Sequence, residues 1–142
     1  MKILLRDGSF KSTALKTWLD SVKLLCDASG HLRIALDQVV KVLAHSPADP
    51  SGLWIHKGAA EVLNDIEHDL MRIAFRVELS NQRGVFTWTA GEEERKLATD
   101  YREKAAAVEK EGYFRLAASM RDLAASYERD ADREAAEDPY DR

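Results

Sequence analysis

The chain has one cysteine, three prolines and seven glycines in 142 residues. The single thiol, Cys26, excludes an internal disulfide and any cysteine-rich zinc site. So little glycine and proline argues against disorder and against an all-β fold full of tight turns. No apolar run approaches the ~18 residues of a membrane span. The opening stretch, Met1-Lys-Ile-Leu-Leu-Arg6-Asp7, carries charge too early for a signal peptide. The expected location is therefore cytoplasmic, with no membrane partner. Common catalytic signatures are missing too. No serine stands in Gly-x-Ser-x-Gly, and neither Gly52 nor Gly58 belongs to a phosphate-binding loop, which needs a Lys and a Ser or Thr. The expectation is a protein that is not an enzyme and uses no cofactor and no metal.

What is present is helical periodicity and charge. Hydrophobic residues make up 45% of the chain and charged residues 32%. A chain of this length buries roughly two-thirds of its unfolded surface, enough for one domain. The formal charge of −4 is uneven. Residues 1–60 hold eight basic and five acidic side chains, a net of +3; residues 61–142 hold thirteen and twenty, a net of −7. The asymmetry points to two kinds of surface rather than two domains.

The first helix is expected over about 12–28. Phe10, Ala14, Trp18, Val22 and Cys26 recur every four residues, widened by Leu15, Leu19 and Leu25. Ser29-Gly30 supplies its C-cap. A second helix over about 31–45 carries Leu32, Ala35, Leu36, Val39, Val40 and Leu43 inward. Residues 46–52 pack two prolines and a glycine into seven positions and must be loop. Leu53-Trp-Ile-His56 reads either as an apolar plug or as the start of a short helix ending near Leu63. Asn64-Asp-Ile-Glu67 has the form of a capping box, so a third long helix is expected over 64–81, burying Ile66, Leu70, Ile73, Ala74 and Val77. Residues 85–89 are β-branched or aromatic and expected to be extended. Thr89-Ala-Gly-Glu92 forms a second capping box, followed by a helix to about Glu111 with Leu97, Tyr101, Ala105 and Val108 inward. Gly112 breaks it, and a fifth helix follows over about 113–137. Its stripe, Tyr113, Leu116, Met120, Leu123, Tyr127 and Ala131, alternates three and four apart, the spacing of an antiparallel seam. The alanines 105–107 face Ala117, Ala118, Ala124 and Ala125, which would let the backbones approach. Residues 128–142 form a charged tail, solvated or serving as a docking spike. The fold expected is all-α: one helical domain over 1–142, a five-helix bundle ending in a long antiparallel helical hairpin.

Three constellations bear on function. Asp65-x-x-His68, with Glu61 and Asp69 within a turn, is half of a di-metal carboxylate site. The second half is absent, since His31, His45 and His56 have no acid three residues before them. These acids also suit a helix N-terminus. Cys26 lies on an apolar stripe and reads as packing. The third constellation is basic. His68, Arg72, Arg76 and Ser80 follow at four-residue spacing, with Arg83 a turn further and Phe86 and Trp88 beyond. Arginines beside exposed aromatics hold phosphates and stack bases, and Lys11, Lys16 and Lys23 extend the surface. The competing reading is dipole complementation and salt bridging, with the aromatics in the core. An acidic whole, pI about 5.6, weighs against a free-standing nucleic-acid binder but less against a subunit that also touches protein.

The helical stripes of 10–28, 31–45 and 64–81, the basic run Arg72, Arg76, Arg83 and the hairpin 90–137 together resemble the small helical subunits that line the backbone of CRISPR effector complexes. The resemblance covers the chain in size and architecture, without a diagnostic motif. It implies a non-catalytic assembly subunit with protein partners, copies of itself among them, and shallow contact with the phosphates of single-stranded nucleic acid. Two alternatives belong to other classes. A helix-turn-helix regulator or antitoxin would use the Ser29-Gly30 turn, but its second helix offers only Arg33, Gln38 and Lys41 to base edges. A helical metal-carboxylate enzyme would use Asp65 and His68.

Overall fold

The computed structural model describes residues 16–21, 23, 24, 32–84 and 87–137. The protein is all-helical; among the described residues there is no strand. Residues 16–21, 23 and 24 are helical, and five further helices follow. These are α1 (Leu32–Ala44), α2 (Lys57–Asn64), α3 (Asp69–Asn81), α4 (Glu92–Lys110) and α5 (Phe114–Ala136). The chain groups into two compact units, residues 1–80 and 81–142, where the sequence suggested one domain. Lys11, Cys26, the Ser29-Gly30 turn, Phe86 and the end of the charged tail lie outside the described residues.

In the first unit, α1 buries Leu36, Val39, Val40 and Leu43, as its periodicity requires. Leu19 joins the buried set from the preceding helical segment. The loop after α1 is organised by Asp49. Its carboxylate accepts the Ser51 and Lys57 amides, each at 3.0 Å, so one side chain serves both a tight turn and the start of α2. The short-helix alternative for the segment after this loop is the one found. Ile55 is buried, His56 is the N-cap, and Ala59, Ala60, Val62 and Leu63 are buried.

In the second unit, α4 and α5 pack against each other over their length. Arg95 lies 3.8 Å from Asp132, Arg102 pairs with Glu128, and Glu109 pairs with Arg121. The order of partners makes the two helices antiparallel. Ala98, Tyr101, Ala105 and Val108 meet Leu116, Ala117, Met120, Leu123, Ala124, Tyr127 and Ala131 in a closed core. Tyr101 and Tyr127 stack with ring centroids 5.8 Å apart and planes within 5°. The turn between the helices is a Schellman motif. Tyr113 N–H donates to Val108 O at 3.0 Å and Gly112 N–H to Glu109 O at 2.9 Å, with Gly112 at φ 91°.

The start of α4 differs from the expected capping box. The N-cap is Gly91, at φ 87°, and the Thr89 hydroxyl accepts from Glu93 N–H at 3.2 Å. The reason is a close approach. A Cβ on Gly91 would lie 2.4 Å from the Ala131 carbonyl oxygen, so only glycine lets the N-terminus of α4 seat against α5. Its neighbour Ala90 is a non-glycine residue at φ 56°. Gly91→Ala should therefore cost about 2 kcal/mol or more in chemical denaturation, from strain plus a backbone clash. Ala90→Gly should be neutral or stabilising, because it relieves the left-handed strain. Equal, small effects at both positions would contradict this packing.

Candidate functional site

The chemistry around α2 and α3 begins with unsatisfied backbone. An eight-residue helix leaves its last carbonyls without partners inside the helix. Two side chains of the following segment supply the donors. His68 donates from Nδ1 to Val62 O, and Arg72 donates to Leu63 O at 2.9 Å and to Asp65 O. With Nδ1 carrying the proton, Nε2 of His68 accepts from the Lys23 ammonium. Asp65 accepts the Glu67 amide at 2.9 Å, and that bond, helped by the charges of Lys23 and Lys16, holds its carboxyl below the ordinary value. This Asx turn takes the place of the expected capping box at Asn64–Glu67, and the helix begins at Asp69.

These bonds set the rotation of α3, and they correct the sequence reading of its faces. Met71, Phe75 and Leu79 are buried together with Arg72, which is only 7% exposed. Ile66, Leu70, Ile73 and Val77 face outward, at 68%, 65%, 42% and 56% exposure. The face expected to be core is solvent-facing, and the face expected to present arginines is turned in. Arg72 is occupied by carbonyls and by Asp69 at 3.6 Å. Arg76 is half-buried and already engaged. Lys16 is exposed and lies 3.5 Å from Glu61, while Lys23 is half-buried on His68. Arg83 and Trp88 belong to the second unit, where Trp88 is 49% exposed. Within the first unit, the described basic residues Lys16, Lys23, Arg72 and Arg76 therefore do not form one exposed stripe.

Arg83 has its own role. It reaches the carboxylate of Glu94, which is 2% exposed, lies 3.5 Å from Glu93, and stands 5.8 Å over the ring of Tyr127. Burial pushes the Glu94 carboxyl up, but the Arg83 guanidinium overrides this and holds it below the usual range. Burial likewise lowers Arg83, and Glu94 more than compensates, so its pKa is raised. Glu134 accepts the Thr89 amide at 2.8 Å nearby and ties the chain before α4 to α5. This is an internal lock. A shallow hollow of about 350 Å³ on α4, lined by Glu92, Arg95, Lys96, Thr99 and Asp100, is open and of mixed charge.

Among the described residues, no cluster of three or more His, Cys, Asp or Glu side chains is placed to hold a metal ion. Asp65 and His68, the proposed metal half-site, are each turned to backbone partners. No described helix is long and apolar enough to cross a membrane. No protein-family model, no curated protein and no solved structure matches the chain. The residues that sequence reasoning missed are the outward apolar set of α3. Their signal was visible as periodicity, but a second apolar stripe on the same helix, Met71, Phe75 and Leu79, competed with it.

Two substitutions test this arrangement. Arg72→Met keeps the apolar stem and removes the donors, leaving buried carbonyls unpaired. Its urea midpoint should fall by the equivalent of about 1–3 kcal/mol; an unchanged midpoint would mean that Arg72 does not cap α2. Asp49 gives a pH signature. Burial raises its carboxyl, but bonds from Ser51 and the Lys57 amide and the charge of His56 bring it down to about 2 from an ordinary 3.8. A lowered folded pKa contributes stability that is complete above about pH 4 and lost as pH falls toward about 2. Asp49→Asn should flatten the thermal-unfolding profile in that window alone.

Proposed function

We propose that this protein is a non-catalytic helical interaction subunit that works within a larger assembly, in the manner of the small subunits of CRISPR effector complexes. The observation that carries the reading is the outward row Ile66, Leu70, Ile73 and Val77. Large apolar side chains grouped on one exposed helix face mark a contact surface more often than isolated ones do. The hairpin of α4 and α5 adds a second, strongly charged surface suited to orientation rather than adhesion. Nucleic-acid contact is the lesser part of the proposal. Arg72 and Arg83 spend their donors internally, so a strand would be met in the first unit by exposed cations such as Lys16.

The test is the native complex. Tagged protein expressed in its own host should migrate, at low salt, in a stoichiometric particle with at least one different polypeptide. A tagged chain that migrates free of other polypeptides overturns the assembly reading. A labelled single-stranded oligonucleotide should bind the purified protein at about 50 mM salt and be released as salt rises; no binding at that salt removes nucleic acid from the proposal.

A further inference from the structure

The outward face of α3 has the spacing and edge charges of a helix that pairs with itself. Leu70, Ile73 and Val77 are separated by three and four residues, the repeat that keeps one stripe in register along a partner helix. Leu70, Ile73 and Val77 lie on α3 and Ile66 lies in the turn just before it. One edge of the stripe carries Asp69 and, a heptad later, Arg76. The other carries Glu67 and Ala74. The two orientations of a helix pair use these edges differently. In a parallel pair, Asp69 comes beside Ala74 and Arg76 beside Asn81, and no charges meet. In an antiparallel pair, Leu70 sits on Ile73 of the other copy, with Ile66 in the turn beyond the helical overlap. The Asp69 edge then runs along its own counterpart, and each Asp69 comes beside an Arg76, a half-buried side chain already engaged within its own chain. A two-fold axis makes that contact twice.

We infer that the outward face of α3 is a self-association surface, pairing antiparallel with the same face of a second copy of this chain. The inference rests on the assembly reading above and names one of its partners. Asp69 suits the role because its side chain remains 77% exposed while lying 3.6 Å from Arg72. The patch is small for a specific interface, so the pair is expected to be weak, with a Kd on the order of 10 µM. The charges select orientation more than they add affinity.

Sedimentation velocity on the full chain, from about 1 to about 200 µM, provides the test. The expected result is a concentration-dependent monomer–dimer equilibrium. Leu70→Glu should weaken it at least about tenfold without lowering the melting temperature, because Leu70 is 65% exposed. The charge edge is read by mixing. Asp69→Arg and Arg76→Asp, each folded by circular dichroism, should each dimerise less than the parent. Mixed together they should form a heterodimer tighter than either homodimer, since both cross-contacts become attractive. A chain monomeric at the highest concentration overturns the inference, as does a dimer indifferent to Leu70→Glu. A monomer that Leu70→Glu destabilises also overturns it, because the face would then be covered within its own chain. Mixed charge variants that fail to favour the heterodimer overturn the antiparallel pairing. These failures leave the assembly reading intact whenever the tagged chain still migrates with a different polypeptide.

Discussion

The last carbonyls of α2 need donors, and that need governs how α3 lies. A short helix has almost as many unpaired backbone groups as paired ones, and its end here is buried. His68 and Arg72 meet the requirement from one side of the next helix. Once they point inward, Met71, Phe75 and Leu79 must follow, being on the same side by helical geometry. Ile66, Leu70, Ile73 and Val77 are then committed to the outside. A polar interaction worth only a few kcal/mol thereby decides where four large apolar side chains go, at the expense of their burial. The hydrophobic effect alone favours either face, since both are apolar.

That balance explains what was legible in the sequence. α1, α4 and α5 each have one apolar stripe, and most of what the period picks out is buried: Leu36, Val39, Val40 and Leu43, then Tyr101, Ala105 and Val108, then Leu116, Met120, Leu123, Tyr127 and Ala131, while Leu97 and Tyr113 are only half-buried and Ala98 is buried instead. Nothing competes with those stripes. On α3 two stripes compete, and charged residues near one of them suggested solvent. The choice depends on the end of α2, a helix too short for its period to announce its boundaries. Arg72 was therefore read as a phosphate contact when its donors serve the backbone. The Thr89 signal was half legible. The hydroxyl does accept a helix amide, one residue later than the motif places it, because Gly91 occupies the cap.

The second unit solves a different problem. Arg83 and Glu94 form an ion pair beside a core built mainly of alanine, leucine, Val108, Met120 and two stacked tyrosines. Such a pair adds little net stability, since taking both charges from water costs about what their attraction returns. Its effect is on specificity. Either partner alone would be a buried charge, so alternative packings that separate them are excluded at several kcal/mol. The pair fixes the segment before α4 to the first turn of that helix, while Glu134 fixes the same segment to α5 through Thr89.

The seat of Gly91 beneath Ala131 acts as a length gauge. The chain leaves that contact along α4, reverses at Gly112 and returns along α5 to the same point. One residue added or removed on either leg turns everything beyond it by about 100° and shifts it along the axis by about 1.5 Å. The seat and the turn hold both ends, so neither leg can absorb the error alone. An insertion or deletion on either leg between Gly91 and Ala131 therefore strains both the seat and the turn at once.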